Sequence, residues 1–453
     1  MLIDFRFSNY RSYRDETVLS MEARGIQDDE EGLTTWGKYK LLPSMAILGK
    51  NGSGKSNLVR AFWLAVQFIT HAQMTQHEGA RVPVRPFRLS DSAAEEPTSF
   101  EFIFIEDSIR YVYGFKATTE KITEEYLRYY PKRYPAVIFE RKEQNFYFPA
   151  GSDRKFKELI SKAVAPNQLY FSVACAMNYQ PCIKAMNWFR NRVTFTRDYT
   201  DLPEMIKENI NNDQILNAMK QYAEEADVGI EDMQFELNNT PLGPSVSTEE
   251  LKKNDPDMPE ELSRAIAAFW QSLSASPNAS EISLNKQELK VATYHHGLDA
   301  DGKIKNYMMT LQDESDGTRR IMALAPDFES ALQNGGLLIA DELEIGIHPL
   351  MMQKLIEKVQ NPKTNPHHAQ LIFTTHDVNV MDFKVLRRDQ IAFVDKDRES
   401  GASELYQIED IRDFSGSNAI SSYLAGKFGA VPEFDEEDDL EFPGINGNYT
   451  GCF

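Results

Sequence analysis

The chain has 453 residues, 42% hydrophobic and 26% charged, enough for two or three domains or one large domain carrying an insertion. Its formal net charge of −20 disfavours broad contact with a phosphate backbone unless cations gather on one face. No apolar run reaches the roughly 18 residues that span a bilayer, and Cys175, Cys182 and Cys452 contain no CxxC pair, so reduced structural thiols are expected.

In chain order, MLIDFRFSNYRSY alternates as a strand does and lacks a signal-peptide core, so a cytoplasmic protein with no membrane partner is expected. MAIL is a short apolar run, and LVRAFWLAVQFI repeats its apolar residues at helical spacing. Between them stands GKNGSGKSN, Gly49 to Asn57, whose G-x-x-x-x-G-K-S spacing between strand and helix predicts a phosphate-binding loop. Gly49, Gly52 and Gly54 let backbone N–H groups close around phosphate oxygens, and Asn51, Ser53 and Asn57 complete the loop. Lys55 is expected to reach the β and γ phosphates and Ser56 to offer its hydroxyl to a metal, so ATP and Mg2+ are the predicted cofactors.

SFEFIFI, IRYVYGFK and AVIFERK predict an antiparallel meander that completes a first lobe over residues 1–150. Inside it RYYPKRYPAVIFERK, Arg128 to Lys142, interleaves basic and aromatic residues as a single-strand-binding platform does; a strand hairpin with exposed lysines and tyrosines looks the same. Residues 151–288 read as mainly helical, with loop signals at NNTPLGPSVS and NDPDMP, and predict an inserted accessory domain. A C-terminal lobe over 289–432 follows. The stretch 433–453 contains EFDEEDDLEF and is expected to be a solvated acidic tail.

Within the C-terminal lobe, QDESDGTRRIM opens a helical pattern, DGTRRIMALAPDFESAL, whose N-terminus can face an anion. GGLLIADELEIGIHP predicts a buried parallel strand ending on two acids. Asp341 would hold hydrated Mg2+ opposite Ser56, and Glu342 would polarise an attacking water. Glu344 points to the other face if extended geometry continues. AQLIFTTHD predicts a second buried strand with His376 at its carboxyl end, where it can hydrogen-bond a γ phosphate or the water. Asp395 and Asp397 in FVDKDRESG have the DxD form of a TOPRIM nuclease, but too little chain follows for that domain, and a polar turn is expected.

The P-loop, acid pair, strand-end histidine and an SxGT loop ahead of the acid-bearing strand resemble the ABC-type ATPase head. The resemblance implies an α/β fold, a mixed sheet with flanking helices plus the antiparallel meander, with the mainly helical domain inserted. It further implies that Ser315, Gly317 and Thr318 occupy the signature position and touch ATP held by another subunit, hence a nucleotide-sandwiched homodimer. Lys55 and Ser315 stand 260 positions apart and LSGGQ is absent, unlike transporter ATPases. No sustained heptad repeat supplies the arms of coiled-coil repair ATPases.

FRFSNYRSYRD is similar to the first strand of the SMC, RecF and OLD-like group, which implies that Arg11 reaches the nucleotide. VPVRPFRL, DELEIGIHP, TTHDVNVMD, LRRDQIAFVDKD and YLAGKFGAVP are similar to RloA-like ATPases, AAA-family relatives of OLD proteins found in bacterial anti-phage and abortive-infection loci. This resemblance implies a Mg-dependent ATPase, with Lys55, Glu342 and His376 as catalytic groups, that acts as a nucleotide-switched sensor or scaffold. It also implies a separately encoded effector such as a nuclease or toxin. The alternative is a RecF- or SMC-like ATPase of DNA maintenance, although overall charge does not indicate nucleic acid.

Overall fold

MAIL lies in the strand Ser44–Leu48, buried at every residue. In the computed structural model, which describes residues 1–24, 32–75, 77, 79–226, 229–241, 259–274, 285–381, 385–411 and 419–431, this strand sits inside a six-stranded mixed sheet. The sheet order is Val193–Phe195, Leu337–Ala340, Gln370–Thr374, Ser44–Leu48, Ile391–Lys396 and Ser403–Gln407. Every neighbouring pair is parallel except the last. Parallel strands are covered on both faces, and LLIA and QLIFT are accordingly buried throughout rather than alternating.

The helix Lys55–Thr75 follows the P-loop strand and buries Leu58, Ala61, Phe62, Ala65 and Ile69, the i, i+3, i+4 stripe read from the sequence. Phe62 packs at 4.5 Å on Phe5 and at 5.2 Å on Phe102. Those two rings belong to a second, seven-stranded sheet, antiparallel throughout. Its order is Asn145–Tyr147, Ala136–Lys142, Ile122–Tyr130, Ile109–Ala117, Thr98–Glu106, Leu2–Ser8 and Thr17–Ser20. The meander is therefore present, with one more long strand than the three apolar runs suggested: ITEEYLRYY is rich in charge, yet its Leu127 side is buried in the sheet. Here the face-by-face period of two outweighs mean polarity.

The chain divides into two compact units: residues 1–195, 331–345 and 352–453 form one, and 196–330 with 346–351 form the other. This differs from the boundary expected at 151. Helices Tyr170–Ala176 and Gln180–Asn191 belong to the first unit because their aromatic residues complete its core. Trp188 stacks on Phe104 at 4.5 Å, and Phe171 packs on Tyr113 at 4.5 Å. Cys175 and Cys182 are buried free thiols in these helices, and burial pushes Cys175 up to about 12, so both are inert filling.

Among the described residues the second unit has more helix than strand and also contains a sheet that the sequence did not suggest. Beside helices Leu202–Glu208, Asp213–Ala226, Glu260–Ser274 and most of Asp316–Asn334, it holds a three-stranded antiparallel sheet of Ile230–Pro241, Asn285–Leu298 and Ile304–Thr310. The expected acidic tail, Pro432, Cys452 and most of the loop signals at 239–258 lie outside the described residues. Among the described residues, no helix is long and apolar enough to cross a membrane.

Candidate active site

The P-loop turns between the strand Ser44–Leu48 and the helix that begins at Lys55. Gly52 and Gly54 have φ of +75° and +125°, where a side chain would be strained. Space is equally restrictive. A Cβ on Gly49 would lie 2.3 Å from the Val394 carbonyl oxygen, and one on Gly54 would lie 2.5 Å from Ser403 Oγ. Ser53 is buried and Asn51 is exposed. Lys55 is 5% exposed, and its ammonium donates to the carbonyls of Gly49 at 2.6 Å and Lys50 at 3.2 Å. Burial lowers its pKa, while Glu342, Glu344 and Asp341 pull the other way. A cation turned onto its own loop and faced by three carboxylates is held ready for a different anionic partner.

Ser56, the next residue, donates from Oγ to Asp341 Oδ1 at 3.3 Å. Asp341 follows the strand Leu337–Ala340, and its Oδ1 also accepts from Thr374 Oγ1 at 2.6 Å. The same Thr374 Oγ1 accepts from the Glu342 backbone N–H at 2.7 Å, and Leu343 N donates to Thr374 O at 3.1 Å. Thr374 therefore fixes the whole acid pair. A hydroxyl and a carboxylate side by side are hard oxygen donors of the kind Mg2+ takes, with water and phosphate supplying its remaining ligands. Among the described residues no group of three or more His, Cys, Asp or Glu could hold a metal by itself.

Glu342 has φ of +52°, so the chain turns sharply after Asp341 and does not stay extended. That corrects the expectation that Glu344 points away. Its Oε1 accepts from the His376 backbone N–H at 2.6 Å, and its Oε2 is buried with no hydrogen-bond partner among the described residues. His376 Nε2 stands 3.9 Å from Glu342 Oε1, both side chains being 38% exposed. Asp341, Glu342, Glu344 and His376 are thus gathered beside Lys55 and Ser56.

Arg11, with φ of +51°, donates from its backbone to Arg85 O at 2.8 Å and from Nη1 to Asn57 Oδ1 at 3.5 Å, at the start of the P-loop helix. Ser315, Gly317 and Thr318 belong to the second unit. Ser315 Oγ accepts from Thr318 N at 3.1 Å and meets Thr318 Oγ1 at 2.8 Å, which satisfies the start of the helix Asp316–Asn334. Thr318 is buried and Ser315 is exposed. Gly317 leaves no room for a side chain, since a Cβ would sit 2.8 Å from Gly346 O.

Four residues that support the site show no role in the sequence by itself. Thr374 looks like any β-branched strand residue. Ser12 Oγ accepts from Asn57 Nδ2 at 2.9 Å, and Ser12 O accepts from Ser403 N at 2.7 Å. Ser403 Oγ in turn donates to Ser53 O. Asp395 pairs with Lys50 at 2.9 Å, and this bond, with backbone N–H groups of Lys396 and Ala430, holds its carboxyl below the usual range against burial. Asp397 accepts from Ser400 N at 2.7 Å, as a polar turn requires. The DxD pair therefore braces the P-loop and its neighbouring turn, and the only short-range signal for Asp395 was its place at the end of an apolar run.

Among known proteins, the chain is similar to "Septu protein PtuA" of Bacillus mycoides (strain KBAB4), at 25% identity over 140 residues, 29% of this chain and 19% of that protein. It is also similar to "Retron Vc95 probable ATPase" of Vibrio cholerae serotype O1 biovar El Tor, at 33% identity over 67 residues, 15% of this chain and 12% of that protein. The chain thus spans less than a fifth of the length of either relative. A solved SMC head domain from Thermotoga maritima aligns at 11% identity over 90% of this chain and 98% of that chain, with a TM-score of 0.36. The family model described as "AAA domain, putative AbiEii toxin, Type IV TA system" matches residues 44–382, which run from the P-loop strand past His376, and the chain belongs to that family.

Proposed function

We propose that the protein is a Mg-dependent ATPase of the ABC type, serving as the nucleotide-switched sensor or scaffold of an anti-phage module. The observation that carries the chemistry is the convergence of Ser56, Asp341 and Thr374, within 3.3 Å steps, beside the buried Lys55. When ATP enters, Lys55 leaves the Gly49 and Lys50 carbonyls for the phosphates, and the P-loop N–H groups close around them. Ser56 and Asp341 would hold Mg2+, which neutralises charge on the phosphates. Glu342 orients the attacking water and accepts its proton, and His376 bonds the γ phosphate or that water. Ser315 and Gly317 of a second copy complete the site, which makes the active species a homodimer. Arg11 supplies a further cation to the nucleotide.

The defence role draws its support from the family description and from the names of the two relatives. A separately encoded effector would then respond to the open or closed dimer. The chemistry is tested by Glu342→Gln, measured for ATP binding and for single-turnover hydrolysis. Binding should persist while hydrolysis falls by at least about a hundredfold, because the phosphate-binding groups remain and the water loses its base. Hydrolysis at the wild-type rate would remove Glu342 from the mechanism.

A further inference from the structure

The overall charge of −20 conceals a local reversal. Residues 109–192, which include four strands of the meander and the helices packed on it, contain fifteen Lys and Arg against seven Asp and Glu. Most of those acids are already committed: Glu124 to Lys116, Glu125 to Arg141, Glu140 to Arg128, Glu143 to Lys121, Asp153 to Lys157 and Glu158 to Arg154. Lys132, Arg133 and Lys184 have no carboxylate partner among the described residues, so this part of the first unit presents uncompensated positive charge.

A cavity of about 350 Å³ opens in the same region. Its walls include the rings of Tyr111, Tyr129 and Tyr179, and its polar groups are Gln180, the exposed Lys184, and Asp153, whose carboxylate is held by the buried Lys157 and the Tyr179 hydroxyl. Tyr129 pairs with Ala136 across the hairpin whose turn carries Lys132, Arg133 and Tyr134, the last 76% exposed, so that turn borders the cavity. Lys184 lines the cavity and is itself exposed. The cavity lies at the small end of the roughly 300–1,000 Å³ range of ligand sites, a size that admits one base with its sugar. Aromatic walls suit a π-face of any base, and the flanking cations suit the phosphates on either side.

We propose that this face binds single-stranded nucleic acid, with one base inserted beside Tyr129 and the backbone tracking across Lys184, Lys132 and Arg133. A duplex keeps its bases stacked inside and cannot fill the cavity, so single strands are preferred. The inference is independent of the ATPase mechanism, since none of these residues belongs to the P-loop site.

Fluorescence anisotropy on the full chain with a labelled single-stranded DNA, an RNA of the same sequence and the corresponding duplex tests it. Either single strand should bind more tightly than the duplex, with affinity falling as salt rises. The triple variant Lys132→Glu, Arg133→Glu and Lys184→Glu should lose at least about tenfold in affinity. Its salt slope should flatten by about 0.7 for each phosphate that is no longer neutralised. Tyr129→Leu, which keeps apolar bulk but not the stacking ring, should lose about tenfold with the slope unchanged. ATP binding by both variants reports that the unit is folded. Absence of salt-dependent binding by the wild type, equal binding by the triple variant, or a duplex bound as tightly as the single strand would each overturn the proposal. So would binding of an acidic peptide in place of every oligonucleotide.

Discussion

Glu344 shows how much one carboxylate can govern at close quarters. It holds the His376 backbone N–H at 2.6 Å, stands near enough to Lys55 to oppose the lowering of its pKa, and keeps one oxygen buried without a hydrogen-bond partner among the described residues. A charged acceptor on a backbone N–H is stronger than a neutral one, and here it sets where the histidine loop lies relative to Glu342. Glu344→Ala should therefore reduce kcat by roughly tenfold or more through a displaced His376, with little change in ATP affinity. Glu344→Gln, which still offers an acceptor to His376, should recover much of that loss. Steady-state kinetics with a parallel nucleotide-binding titration separates the two effects, and a pure loss of ATP affinity in Glu344→Ala would contradict this positioning role.

At the level of elements, the meander and the helix Tyr170–Ala176 are joined through Glu125. The residue before that helix, Leu169, offers no side-chain cap. Instead Glu125, buried in the strand Ile122–Tyr130, accepts from Tyr170 N at 2.8 Å and Phe171 N at 2.9 Å, so an acid from a distant strand serves the helix start. The same carboxylate accepts from Tyr113 OH at 3.1 Å and from Arg141 Nη1 at 3.4 Å, and neither charged side chain is exposed. Arg141 also donates to Gln168 O at 2.6 Å, so every part of the pair is occupied. Glu125→Ala would leave a buried guanidinium unpaired and two helix N–H groups unsatisfied, a loss of about 3–5 kcal/mol. Urea unfolding should register it as a lowered midpoint. A shift below about 1 kcal/mol would mean that water replaces the carboxylate.

For the whole molecule, the decisive question is whether the signature loop works in trans. Ser315 is exposed at the start of a capped helix, and an arginine there would add bulk and charge where a phosphate is expected to dock. Ser315→Arg should thus bind ATP almost as the wild type does and fail to hydrolyse it. Lys55→Ala should weaken binding itself. When the two inactive proteins are mixed, each heterodimer has one site built from an intact P-loop and an intact signature loop, beside one doubly damaged site. Partial return of ATPase activity is the expected outcome, up to half the wild-type rate per heterodimer if sites act independently. Heterodimers verified by tag capture yet inactive, together with normal hydrolysis by Ser315→Arg alone, would remove the loop from the composite site.

Much of the candidate site could be read from the amino-acid order because its parts are short and local. A glycine-rich loop between an apolar run and a helical stripe can be recognised within about twenty residues, and so can two acids that end LLIA or a histidine that ends QLIFTT. Apolar periodicity likewise predicted the P-loop helix and most of the meander. What periodicity reports is which face of an element is apolar, and it is silent on which partner covers that face. Only the folded chain could assign Trp188 and Phe171 to the meander core, move the boundary from 151 to near 195, and reveal a three-stranded sheet in the middle segment. The same holds for Thr374 on Asp341, Ser403 on Ser53 and Glu125 on Tyr170, bonds between residues 33, 350 and 45 positions apart. Such contacts arise when buried polar groups must find partners after the strands have paired. No local pattern of residues encodes them.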